Sequence, residues 1–345
     1  MGVRGLPLKW FRSYLTERSQ YTNVNNKESQ QMIVNCGVPQ GSILGPLLFL
    51  IYVNDINKIK LKGQITLFAD DTAIFYEEEN LDELITNIKD DLETLRLWLT
   101  KNLLTLNLSK TVYIVFHKPT RYIEIPDKIS INNIEINRLE QTEYLGLILD
   151  QNLKWKPHID FIVGKISPLI GVLYRLRGLM PVSACRNIYH ALVQSHLLYM
   201  SVIWSNCTKK ELNQLCVLQK RAIKNIYGFP SQYPTKDLFV ETNILPFEVL
   251  MKLQTCIYAF KISRDITHTN MALHRRKDYH SYNTRTKNSY NIENVHTTTY
   301  GLLGVKYNIL KIYNDLPPKF KTIHTVDRFK KTVRQYLFNL YAHLK

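Results

Sequence analysis

The sequence predicts an α+β first half, an all-α middle and a basic C-terminal segment. Three observations carry this reading. Short β-prone runs punctuated by turn residues and a few helical stretches fill residues 1–150. Over residues 156–260 apolar side chains recur at spacings of three and four. Past residue 260 the chain turns basic and rich in tyrosine. At 345 residues and 45% hydrophobic the chain can build two or three cored units, and no low-complexity tract or fixed-period repeat interrupts it.

Residues 6–16 read as a helix, and residues 21–35 as a strand pair folded about Asn25-Asn26. Next comes Gly37-Val38-Pro39-Gln40-Gly41-Ser42-Ile43-Leu44-Gly45-Pro46. Two glycines and a proline within five residues allow close approach of a ligand or another chain. Gln40 is the one long polar side chain on this loop. Pro46 then opens an apolar helix over residues 47–56, since proline fits the first helical turn.

The run Leu67-Phe68-Ala69-Asp70-Asp71-Thr72-Ala73-Ile74-Phe75 places two adjacent aspartates between β-prone stretches, at the tip of a tight hairpin. Carboxylates this close repel unless a cation sits beside them, and hard oxygen ligands suit Mg²⁺. Taken alone, the pair reads more readily as a polar turn. Asn80 is placed to cap a helix ending near Leu99, with Leu81, Leu84, Ile85, Ile88, Leu92 and Leu95 on one face. Residues 111–116 form a strand, and residues 123–136 offer two more about the turn Asn132-Asn133.

Three helices follow. Ile159, Ile162, Ile166 and Leu173 share a face of the first; Ser183 caps the second and Thr208 starts the third. A plain helical bundle would show the same periodicity. Tyr279-His280-Ser281-Tyr282-Asn283-Thr284-Arg285 interleaves basic and aromatic residues, as a backbone-contacting, base-stacking segment does, although a solvated linker has the same composition. A turn at Asn314-Asp315-Leu316-Pro317-Pro318 precedes an amphipathic basic helix over residues 326–344.

Charge divides the chain. Residues 1–150 carry a net −3, residues 151–260 a net +8 and residues 261–345 a net +11, so the whole excess of +16 lies in the second half. Such a surface favours a polyanion, with nucleic acid the foremost candidate. A membrane is not expected: no lipidation motif or secretory leader is visible, and the longest apolar run, residues 43–53, holds Gly45 and Pro46 and is too short to span a bilayer. Cys36, Cys185, Cys207, Cys216 and Cys256 are odd in number and widely spaced, which reads as reduced structural thiols.

The loop with its apolar helix, followed about thirty residues later by the aspartate hairpin, is specific as a pair. It resembles the reverse transcriptases of non-LTR (LINE-type, jockey-like) retrotransposons. The resemblance implies a partial right-hand polymerase palm of antiparallel sheet plus helices over residues 1–150, an all-α thumb-like region over 151–260 and a basic C-terminal region over 261–345. It implies that Asp70 and Asp71 bind catalytic Mg²⁺, with Mn²⁺ as a substitute, and that Gln40 and Gly41 pack against template and incoming nucleotide. Lys110 matches a lysine that protonates the leaving pyrophosphate, though a solvated surface lysine is the commoner occurrence. Tyr144, Leu145 and Gly146 match the hairpin that grips the primer end. The partners implied are an RNA template, a DNA primer and deoxynucleotides, in the nucleus or cytoplasm.

One departure stands out. The family carries a third aspartate on a strand upstream of the Gln40 loop, whereas the only acids here before the loop are Glu17 and Glu28. Asp55 follows in the outgoing helix. The sequence therefore resembles a polymerase truncated at its N-terminus, with impaired activity expected. A nucleic-acid-binding remnant without catalysis and a relict reading frame are the alternatives.

Overall fold

The computed structural model describes every residue except Met1, Cys36, Gln40, Arg121, Tyr122, Asn132, Asn133, His268, Asn270, Ala272, 280–286, Leu344 and Lys345. It divides into two compact units, one of residues 1–113 with 123–139, the other of residues 114–122 with 140–345.

The first unit begins with helix α1 (Gly5–Leu15). Strands β1 (Arg18–Gln20) and β4 (Met32–Val34) pair antiparallel, with Arg18 opposite Val34. Between them β2 (Asn23–Val24) and β3 (Lys27–Glu28) close on Asn25-Asn26. Both asparagines are left-handed, at φ 52° and 63°. Asn tolerates that region because its short polar side chain bonds locally, so the expected turn forms, but between two short ladders starting at Arg18.

Helix α2 (Leu44–Val53) starts three residues before the expected position and runs into a 3₁₀ turn, Asn54–Lys58. The Ser42 hydroxyl accepts a hydrogen bond from the Gly45 N–H at 2.9 Å, satisfying a free donor ahead of Pro46. The helix is apolar on every side, and Leu47, Leu50 and Ile51 remain exposed.

Strands β5 (Gln64–Phe68) and β6 (Asp71–Phe75) form an antiparallel hairpin with Phe68 opposite Asp71. Helix α3 (Leu81–Lys101) follows, capped as expected by the Asn80 side chain, which accepts from the Asp82 N–H at 2.9 Å. Of the expected strand over residues 111–116 only β7 (Val112–Tyr113) is paired, and it runs parallel to its neighbour. Just past the expected strand, the His117 N–H donates to the Gln151 carbonyl at 3.1 Å. Strand β8 (Lys128–Ile131) pairs antiparallel with β9 (Ile134–Arg138), which holds β7 on its other edge. Among the described residues the expected antiparallel sheet plus helices takes the form, in this unit, of four small sheets, one of them also containing a parallel pair. Leu95 of α3, Ile125, Ile129 and Ile136 supply the buried apolar centre of this unit.

The second unit opens with the hairpin β10 (Gln141–Tyr144) and β11 (Leu147–Asp150). Helix α4 (Lys156–Leu176) packs on β11, burying Ile159, Ile162, Ile166, Ile170 and Leu173, the stripe that the periodicity predicted. Helix α5 (Val182–Ile188) follows Pro181, which leaves Ser183 inside the first turn rather than at the cap. A π-helical stretch, Tyr189–Gln194, leads to two short helices, α6 (Ser195–Leu198) and α7 (Ser201–Trp204). Helix α8 (Lys209–Tyr227) begins at Thr208 with a reciprocal capping box to Glu211. Then come α9 (Thr235–Thr242) and the mostly buried α10 (Phe247–Ser263). Helices α11 (Val305–Asp315), α12 (Pro318–Lys321) and α13 (Val326–His343) complete the chain. The core does not stop at residue 260: the Phe260 and Phe329 rings stack at 4.1 Å, and Ile309, Leu310, Phe320 and Val333 share that core. Cys185, Cys207 and Cys256 are buried free thiols, Cys216 is a half-buried one, and burial pushes the Cys256 thiol up to about 12. No helix among the described residues is long and apolar enough to cross a membrane.

His158 on α4 is buried at 2% exposure among Trp155, Phe161 and Trp204. Its Nδ1 accepts from the Ile148 N–H of β11 at 3.3 Å, while its Nε2 has no partner among the described residues. Burial pushes the imidazole down to about 4. The fold therefore holds His158 neutral, whereas the unfolded chain takes up a proton below about pH 6.5. Its contribution to stability is complete above pH 6.5 and is lost as the pH falls towards 4, at up to about 1.4 kcal/mol per pH unit. Urea midpoints measured from pH 7.5 down to 4.5 should fall for the natural chain and fall less steeply for His158→Gln.

Candidate active site

The hairpin expected around the aspartates is present, with one refinement. Its two-residue turn is Ala69-Asp70, with Ala69 left-handed at φ 52°, and Asp71 is already the first residue of β6, opposite Phe68. Both aspartates are exposed, and among the described residues no hydrogen bond or ion pair ties up the Asp70 or Asp71 carboxylate. The two negative groups are adjacent and free to accept from a cation or its bound water.

Helix α3 grips both legs of this hairpin at its base. The buried Asp91 carboxylate accepts from the Lys62 N–H at 3.0 Å and the Gly63 N–H at 2.8 Å, just before β5. One turn away, Asn87 donates to Glu78 beyond β6 at 2.9 Å and accepts from the Lys62 ammonium at 2.9 Å. Gly63 is required here, because a Cβ would lie 2.5 Å from Tyr76 and 2.6 Å from Ile74. Burial, and secondarily the Asp91 charge, raises the pKa of the Tyr76 hydroxyl, which stays protonated. Neither Asp91 nor Asn87 was singled out by the sequence, where they read as polar residues in an amphipathic helix. Asp91→Ala would leave two backbone donors unpaired at a buried position, with an expected loss of about 2–4 kcal/mol. Asp91→Asn, which keeps one acceptor, should lose roughly half of that in a urea titration.

The loop ahead of α2 is built around Ser42. Its hydroxyl donates to the Pro39 carbonyl at 2.8 Å and accepts from Tyr14 of α1 at 2.7 Å, besides capping α2. Arg18 holds the start of the loop through a 2.6 Å bond to the Gly37 carbonyl. The φ of +78° at Gly41 favours glycine. Gly45 is needed for space, since a Cβ would lie 2.9 Å from the Pro39 oxygen. Ser42 is a positioning residue that the sequence offered as a serine three places before a helical N–H. Gln40 lies outside the described residues, so its convergence with Asp70 remains a proposal.

Lys110 closes the turn after α3, its N–H donating to the Asn107 carbonyl at 3.1 Å, and its side chain is exposed without an ion pair among the described residues. In the second unit Tyr144 ends β10, and Leu145-Gly146 forms the turn, with φ 49° and 76°. The Tyr199 hydroxyl donates to the Leu145 carbonyl at 2.7 Å, and its ring lies 3.2 Å from where a Gly146 Cβ would be. Buried Trp204 fixes Tyr199 in turn, donating from Nε1 to the Tyr199 carbonyl at 2.7 Å. Asp150 accepts from the Lys154 and Trp155 N–H groups at 2.8 and 3.1 Å, a structural use of a carboxylate within the same motif.

A divalent cation fits Asp70 and Asp71 as far as donor chemistry goes: two free carboxylate groups on one rigid turn suit Mg²⁺, which keeps several waters and takes further oxygens from substrate phosphates. No group of three or more acidic, His or Cys side chains placed to hold a metal ion occurs among the described residues.

The first unit thus sets a glycine-rich loop ahead of an apolar helix, and an aspartate hairpin braced by a long helix. Residues 2–149 match the family model for reverse transcriptase (RNA-dependent DNA polymerase), and this stretch is a reverse transcriptase domain. The chain is also similar to retrotransposon polymerases of Drosophila melanogaster. It is 28% identical to the "Probable RNA-directed DNA polymerase from transposon BS", over 73% of this chain and 29% of that protein. Against the RNA-directed DNA polymerase from mobile element jockey it is 26% identical, over 66% of this chain and 26% of that protein. A polymerase ascribed to transposon X-element is 25% identical, over 65% and 25% of the two chains. The matched stretch thus spans under a third of the length of these relatives.

Proposed function

We propose that this chain contributes the nucleotidyl-transfer centre of an RNA-directed DNA polymerase of the jockey type. The observation that carries the proposal is the Asp70-Asp71 pair: two carboxylates without a hydrogen bond or ion pair among the described residues, on a hairpin whose base α3 holds through Asp91 and Asn87. Catalysis of phosphoryl transfer is mostly positioning and charge stabilisation, so rigid, free carboxylates are what it needs. Asp70 and Asp71 would hold Mg²⁺ or Mn²⁺, which supplies charge neutralisation at the triphosphate and primer end. Gln40 and Gly41 would face the templating base and nucleotide, Lys110 the leaving pyrophosphate, and Tyr144, Leu145 and Gly146 the primer end. In this reading residues 1–150 act as a palm and residues 151–260 as a thumb, and the basic residues 261–345 contact the nucleic-acid backbone.

A second reading has its own support. Two metal ions call for carboxylates from more than one strand, and the described residues hold no group of three acidic, His or Cys side chains placed to take a metal ion. The 345-residue chain on its own would then bind template and primer while extending them poorly. Primer extension on an RNA template, with Mg²⁺ and with Mn²⁺, separates the two: strong templated synthesis refutes the second reading, and retention of the primer–template without extension supports it.

A further inference from the structure

We propose that the groove between α4 and α8 is a binding site for single-stranded nucleic acid, with phosphates on its cations and bases on its aromatic walls. The inference rests on the reading of the second unit as a nucleic-acid-binding body. The groove encloses about 760 Å³ and is lined by Arg177, Lys220, Arg221 and Lys224 together with Tyr174 and Phe229, with no Asp or Glu in its lining among the described residues. Its floor is apolar, formed by Ile170 and Leu218, and Asn225 stitches the two helices together by donating to the Ile170 carbonyl at 3.2 Å. Four positive groups in a lining that holds no acid among the described residues leave a potential that a polyanion can relieve.

The positions of these groups are fixed by the fold. The Arg177 guanidinium lies over Gly228, where a Cβ would come within 3.0–3.2 Å of three of its atoms; φ there is +74°, so glycine is needed on both counts. Lys224 donates to the Ser231 carbonyl and is held at the rim. Phe229 is stacked on Tyr233 at 4.2 Å and on Tyr227 at 6.0 Å, a pile of rings that braces the aromatic wall. Opposite, Tyr174 is 62% exposed, an unusual amount for a large ring on a helix whose other face is core.

This combination favours a single strand over a duplex. Cations alone would serve either, because both present phosphates. Aromatic faces have a partner only where bases are unpaired, since a duplex keeps its base faces stacked inside.

Fluorescence anisotropy on the full chain tests this with two labelled probes, an oligouridylate and a blunt RNA duplex of equal charge. Tyr174→Ala, which removes an exposed ring and no charge, should weaken oligouridylate binding about tenfold and leave the duplex unchanged. The pair Lys220→Gln with Arg221→Gln should weaken oligouridylate binding and lower its log–log salt slope by about 1.4. Thermal melting of each variant verifies the fold. Equal losses for both probes under Tyr174→Ala, or unchanged oligouridylate binding in both variants, would overturn the groove assignment. Failure of the natural chain to bind either probe would instead overturn the reading on which it rests.

Discussion

Asp70→Asn should abolish whatever templated synthesis the chain supports, a loss on the order of a thousandfold or more, with no measurable loss of stability. The two halves of this expectation have separate physical grounds. The carboxylate sits at a hairpin turn, exposed, and no bond among the described residues depends on it, so the fold has nothing to lose. Charge stabilisation at the reacting phosphates, by contrast, supplies most of the rate enhancement in this class of chemistry, and an amide cannot offer a negative oxygen to a divalent cation. Asp91→Ala gives the complementary pattern, in which activity and stability fall together because the base of the hairpin loosens. Primer extension and urea unfolding on both variants make the comparison. An Asp70→Asn chain that synthesises as well as its parent would remove the hairpin from the mechanism.

The second large effect is ionic. Residues 151–345 carry the whole positive excess, +8 up to residue 260 and +11 beyond it. If six to ten phosphates are neutralised on binding, affinity for a primer–template should drop roughly 10³- to 10⁵-fold between 50 and 200 mM salt. Filter binding across a salt series measures the slope directly. An affinity that ignores ionic strength would point to a protein partner in place of nucleic acid.

Much of the candidate site was visible in the residues themselves. Asp70 and Asp71 between β-prone runs specified a hairpin, because Asp is at ease in turns and the flanking residues are not. Asn80 and Thr208 specified helix starts, since a side-chain oxygen there satisfies a backbone donor that nothing else can reach. Ser183 looked the same but was displaced by Pro181, whose fixed φ and missing N–H set the start of α5 two residues earlier. The strand over residues 111–116 ends its pairing at Tyr113, and just past it the His117 N–H reaches the Gln151 carbonyl, a choice no local pattern encodes.

Composition, turn chemistry and apolar periodicity by themselves determined the α+β-then-helical order, the aspartate hairpin, the buried stripe of α4 and the location of the positive charge. Those are properties of neighbours in sequence, within the reach of one turn of helix or one hairpin. Tertiary structure alone decided which polar groups do the holding. Asp91 becomes the clamp of the hairpin only when α3 lies across residues 62–63, and Tyr199 becomes the strut of the Leu145-Gly146 turn only when Trp204 is buried behind it. The groove of Arg177, Lys220 and Lys224 likewise exists only once α4 and α8 pack side by side. A hydrogen bond or a shared field spans a few ångströms of space irrespective of how many residues lie between its ends, and that distance is set by the fold.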